Sequence, residues 1–140
     1  MTQKASRSHQ TARCCSSARQ QGRGVHVIYT RTHALTQTLA IEGAPRETNQ
    51  LRRVRASPLG RYVCASSHAD NFAAIYVGAL KQIGGFVAPQ APMGFGFDGH
   101  GRHGYLCCHD AAATLELELA GGHITGQLKT AAGCEFIVSY

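Results

Sequence analysis

The sequence predicts an α+β domain: a mainly antiparallel sheet that ends in a C-terminal β-meander, with one principal helix packed on it. Three observations carry that expectation. Residues 114–129 alternate apolar and polar side chains on both sides of Gly121-Gly122, the pattern of a β-hairpin. Residues 71–83 place Phe72, Ile75, Tyr76, Ala79, Leu80 and Ile83 at helical spacing behind Asp70 as N-cap, and Gly84-Gly85 supplies a left-handed stop. The third is a break in charge: the first 61 residues hold eleven Lys and Arg against Glu42 and Glu47, net +9, whereas three bases oppose six acids in the remainder, net −3.

That break divides the chain into a basic, largely disordered tail and linker over residues 1–60 and a small α+β domain over 61–140. Residues 1–24 are rich in Ser, Thr, Gln and Arg and carry almost no large apolar side chain. Their burial cannot offset the entropy of ordering them, so a solvated tail is expected. The β-branched stretch Val25-His26-Val27-Ile28-Tyr29-Thr30 and the Leu, Thr and Ile of residues 35–41 suggest a hairpin within this part. Residues 43–58, bounded by Pro45 and Pro58, read as a linker.

In the second part, residues 61–66 read as a strand, followed by the helix at 71–83. Gly78 costs that helix about 1 kcal/mol relative to Ala, and the competing reading is two short strands broken at Gly78. Residues 86–104 hold two prolines and five glycines and read as a long loop. A short strand at 105–108, the hairpin, and a last strand at 134–140 complete the meander. In the hairpin, a two-residue turn at Gly121-Gly122 would set Leu119 opposite Ile124 and Leu115 opposite Leu128, leaving Glu116 and Glu118 on the wet face. A core built from about 80 residues is thin, so cover from the 25–41 segment or a second subunit is expected.

The functional expectation is a small non-enzymatic binding or protein-interaction module with a protein partner or a second copy, using a sheet edge and the 86–104 loop. The first alternative is a zinc-type metal protein or enzyme built on His100, His103, Cys107, Cys108 and His109, because imidazole nitrogen and thiolate are zinc ligands. Cys64, His68 or Cys134 could complete such a shell, although a strand sends Cys107 and Cys108 to opposite sides. The same cluster, with Asp110, contains the residue types of a Cys-His nucleophile pair. The second alternative is nucleic-acid binding through residues 1–60, with Arg52, Arg53 and Arg55 as phosphate contacts. Glu116 and Glu118 are explained by a half-solvated strand, and Gly94-Phe95-Gly96-Phe97-Asp98-Gly99 matches a dinucleotide-site spacing without the strand and helix that site needs. With no apolar run of membrane-spanning length and no secretory leader pattern, a cytoplasmic chain with free thiols is expected. A fragment of a longer protein would fit the same composition.

Overall fold

The computed structural model describes residues 13–15, 25–29, 31–39, 41–43, 51–68, 70–77, 81–135 and 137–138. Much of the 1–60 tail and linker, including the Ser-rich beginning, lies outside the described residues. Within it stand four strands: β1 (Arg13–Cys15), β2 (Val25–Tyr29), β3 (Ala34–Leu39) and β4 (Leu51–Ala56). β2 and β3 pair antiparallel, with Val25 opposite Leu39 and Tyr29 opposite Ala34.

The remaining strands are β5 (Tyr62–Ser67), β6 (Phe72–Val77), β7 (Gln82–Val87), β8 (Pro92–Phe97), β9 (His103–Cys108), β10 (Ala113–Glu118) and β11 (His123–Lys129). They form antiparallel sheets in the orders β1-β2-β3, β4-β5-β6-β7 and β11-β10-β9-β8. Each sheet is a meander of sequential neighbours.

The expected α+β class is therefore wrong, because the described residues are nearly all antiparallel sheet and contain no α-helix. Where the helix was expected, β6 and β7 pair with each other, Phe72 opposite Val87 and Ile75 opposite Gly84. The reason lies in burial. Phe72, Ala73, Ala74, Ile75 and Tyr76 are all buried, and alternate side chains enter two different cores. Ala73 and Ile75 join Tyr62, Cys64, Phe95, Leu106, Leu115 and Leu117, whereas Phe72, Ala74 and Tyr76 join Val25, Val63 and Ala65. A strand covered on both faces is apolar at every position, so its pattern has no period of two and can imitate a buried helix.

The expected loop at 86–104 contains β8 for a related reason. Phe95 and Phe97 point into the core shared with β5 and β6. Gly94 and Gly96 alternate with them. The glycines that looked like loop composition are one face of a strand.

The β10–β11 hairpin is present with a slipped register. Glu118 opposes His123, Leu117 opposes Ile124, and after a bulge Thr114 opposes Leu128. The turn takes four residues, 119–122, and is closed by the Gly122 amide donating to the Glu118 carbonyl at 2.9 Å. Leu119, wholly buried in the core, draws the turn inward. Gly122 has φ +67° and lies against Ile83 and Gly84 of β7, where a Cβ would strike the Ile83 carbonyl. The expected last strand at 134–140 is also corrected: residues 134–135 and 137–138 are irregular, and 136, 139 and 140 lie outside the described residues.

The sheets stack face to face, with β1, β4 and β8 adjoining at one edge and β7 and β11 adjoining at the other. Four-stranded meanders stacked in this way are the blades of a β-propeller. A repeat underlies the stack. β8, β9, β10 and β11 each begin 41 residues after β4, β5, β6 and β7 respectively, a spacing within the range of known blades. Gly60-Arg61 recurs as Gly101-Arg102, both glycines at φ +67°, and His68 recurs as His109.

Candidate interaction face on the third blade

Alternation along β9 and β10 sends Leu106, Cys108, Leu115 and Leu117 into the inter-blade core. Tyr105, Cys107, Thr114 and Glu116 consequently face the other way, away from the second blade. On β11 the slipped register turns Leu128 to the same side, opposite Thr114. Across this outer face run residues 134–135 and 137–138, with Ile137 seated on Gly96 so closely that a Cβ there would lie 2.5 Å from Ile137 Cγ2. Between segment and sheet is a recess of about 540 Å³, lined by Phe97, Asp98, Tyr105, Thr114, Leu128, Thr130, Cys134, Ile137 and Val138.

The recess is mostly apolar, and two of its residues are open to water: Leu128 at 52% and Val138 at 76% exposure. Burying an exposed aliphatic side chain is worth about 1.5–3 kcal/mol, so such a face favours a partner. Its outline follows from the repeat. Residues 133–138 lie 41 positions beyond β8, as β8 lies 41 beyond β4. Arg55 of β4 donates from Nη1 to the Phe95 carbonyl of β8 at 2.7 Å and lies over the Phe97 ring. Ile137, 41 positions beyond Gly96 and two repeats beyond Arg55, makes the matching approach to β8. The segment thus occupies the place of a next blade's innermost strand.

The expected site residues are spread through this frame. His100 is in the exposed turn between β8 and β9. His103 opens β9, its Nδ1 3.2 Å from Asp98 Oδ2, and Asp98 Oδ1 accepts the Arg102 amide at 2.8 Å. Cys107 and Cys108 close the same strand, both buried, on opposite faces. His109 follows in the next turn, Nδ1 2.7 Å from Asp110 Oδ1. His103 and His109 therefore lie at opposite ends of a strand, about 20 Å apart at 3.3 Å per residue. Among the described residues, no group of three or more His, Cys, Asp or Glu side chains is placed to hold a metal ion.

Of the arginines, Arg55 makes the inter-blade contacts given above, Arg53 is half-buried on the same strand, and Arg52 is on β4, with its side chain outside the described residues. Glu118 pairs with His123 across the hairpin, Oε2 to Nε2 3.6 Å. Burial sets the thiol chemistry. Cys64 is pushed up to about 12 by desolvation, Cys107 to about 12 by desolvation and the neighbouring Cys134, and Cys108 to about 11 by the same two causes. None of these three is a ready thiolate near neutral pH.

What sequence reasoning missed is the recess itself, with Tyr105, Leu128, Ile137 and Val138. The signal that could have found it is the 41-residue period, which sets residues 133–138 in line with two inner strands.

No family model matches the chain, and none of the curated proteins does. Solved structures do match its fold. Hydrazine synthase of Kuenenia stuttgartiensis superposes with a TM-score of 0.68 at 16% identity, covering 81% of this chain and 32% of that one. The periplasmic gluconolactonase of Pseudomonas aeruginosa gives 0.61 at 17% identity, covering 79% and 35%. Dihydro-heme d1 dehydrogenase gives 0.68 at 14% identity, covering 86% and 24%. These neighbours are β-propeller-like enzymes, and at such identities the likeness is one of fold alone. The chain thus shares a β-propeller-like fold with these proteins and spans a quarter to a third of their length. Among the described residues no helix is long and apolar enough to cross a membrane.

Proposed function

We propose that the chain is a non-enzymatic interaction module, a set of propeller blades whose outer third-blade face docks the β-sheet of a second copy. The observation that supports this reading is the apolar recess beside residues 134–138, with Leu128 and Val138 exposed next to an inner-strand position that has no sheet built on it among the described residues. Propellers close with about four to eight blades. The three sheets among the described residues are fewer than that range, and a second copy would add three more. A second copy meets the face with the kind of surface that already packs between β5–β6 and β8–β10, so the docking repeats an interface the chain makes within itself.

Light scattering on the purified chain tests this. A dimer is expected, reduced to monomer by Leu128→Arg, which adds a charge at an exposed position and leaves each monomer's cores intact. A wild-type chain that remains monomeric at tens of micromolar refutes the reading.

A further inference from the structure

Beneath the recess is a pair of thiols that the docking reading does not use. Cys107 on β9 and Cys134 in the overlying segment flank one threonine and lie close enough that Cys134 raises the Cys107 pKa. Thr114, directly opposite Cys107 in the ladder, holds its Oγ1 3.9 Å from Cys134 Sγ. The repeat gives an independent reason for the contact. Ser66 and Met93, each 41 residues earlier, meet between the preceding blades, where Ser66 Oγ donates to the Met93 carbonyl at 2.8 Å. Cys107 and Cys134 occupy the same two places one blade further on, with sulfur in both.

We propose that Cys107 and Cys134 form an oxidisable dithiol whose disulfide fastens the segment carrying Cys134 and Ile137 across the outer face of the third blade. Bond formation requires the two sulfurs to close to about 2.05 Å. The irregular segment carrying Cys134 can supply that movement, whereas β9, paired on both sides, holds Cys107 in place. Exposure sets the order of events. Cys134 is half-exposed and Cys107 is buried, so an outside oxidant meets Cys134 first.

With a low-molecular-weight disulfide such as oxidised glutathione, the Cys134 thiolate attacks one sulfur and releases one glutathione thiolate. Cys107 then attacks Cys134 Sγ and expels the second glutathione, which takes up the Cys107 proton as it leaves. Two protein thiols are oxidised, one glutathione disulfide is reduced to two thiols, and no other reactant is needed. Cys108, one residue away, faces the inter-blade core with Leu106 and Leu115 and is excluded by direction.

The test is to treat the reduced full chain with oxidised glutathione, alkylate the remaining thiols and map tryptic peptides without reduction. Cleavage after Arg102 and Lys129 puts Cys107 and Cys108 in one peptide and Cys134 in another. The expected result is a linked pair of these peptides in the wild type and in Cys108→Ser, at least tenfold depleted in Cys107→Ser and Cys134→Ser. Circular dichroism on each variant confirms that the sheets persist. Cys134→Ser, in an irregular surface segment, retains the fold and keeps the comparison valid if Cys107→Ser does not. A link through Cys108, Cys134 left as a stable glutathione adduct beside free Cys107, or no link at all would each overturn the proposal.

Discussion

Replacing Leu117 by Ala should cost the fold far more than replacing Leu128 by Ala, although the two residues lie on neighbouring strands of one hairpin. Leu117 is wholly buried between the second and third blades, among Leu106, Leu115 and Leu119. Truncating such a side chain removes its transfer free energy and leaves a cavity, together about 2–5 kcal/mol. With a domain stability of about 5–15 kcal/mol, that is a large share. Leu128 is half in water on the opposite face, so Leu128→Ala should cost about 0.5–1 kcal/mol. Urea denaturation followed by circular dichroism, at concentrations low enough that association contributes nothing, measures both. The pair tests register. A two-residue turn would set Leu128 opposite Leu115 on the core face, and both substitutions would then be severe. Equal losses would refute the slipped register and with it the placement of Leu128 in the recess.

Further expectations follow from particular contacts. Arg55→Ala should lower stability by about 1–2 kcal/mol, because the charged donor to the Phe95 carbonyl is lost between the inner strands, and Arg55→Lys should recover part of it; denaturant midpoints read both. Asn71 holds φ +50° and accepts the Ala91 amide at Oδ1 at 3.0 Å, so Asn71→Gly should lose about 1 kcal/mol, the hydrogen bond alone, and Asn71→Ala more, since Ala also resists that backbone; a thermal melt that ranks them the other way contradicts this. Gly96→Val should push Ile137 off the third blade and speed alkylation of Cys134 by iodoacetamide several-fold, with unchanged rates meaning that the segment does not rest there. The buried Cys64 thiol has its pKa raised by desolvation from 9.0 to about 12, so the folded state prefers the proton. Its contribution to stability should be undiminished below pH 9 and fall as the pH climbs from there toward 12, a loss that Cys64→Ala removes in a pH series of urea midpoints.

The parts of this fold legible in the sequence are those with one wet face. β10 alternates Leu and Glu because its outer side is half-solvated, and the β2–β3 hairpin is short, β-branched and bounded by a turn. β6 and β8 were not legible, because both faces are covered and a continuous apolar or Gly-Phe run has no period of two to read. The hairpin's register failed for a different reason. Gly121-Gly122 suits a two-residue primed turn, but tertiary packing overrides that local preference by burying Leu119 in the core and pressing Gly122 onto β7. The histidine and cysteine cluster is dense in sequence only because β9 is short, and a six-residue strand separates its two ends in space.

The 41-residue period was the strongest signal available, and little identity marks it. What recurs is backbone geometry at turns and inner strands: Gly60 and Gly101 at the same positive φ, and Asn71 and Ala112 closing equivalent turns at φ +50° and +49°. A blade needs an alternation that suits its two neighbours, and those neighbours differ at each step, so side chains diverge while strand positions persist. The consequence bears on the third blade. Ser66 with Met93 and Cys107 with Cys134 are the same pair of repeat positions, the first joined by a hydroxyl-to-carbonyl bond and the second carrying two thiols. Replacing Cys107 and Cys134 by Ser and Met would therefore reproduce the preceding interface. That variant should keep residues 134–138 against β8, as read by protection from protease, and should do so equally under reducing and oxidising conditions. Release of the segment in both conditions would mean that the two contacts are not equivalent and that the fourth-blade position is occupied for some other reason.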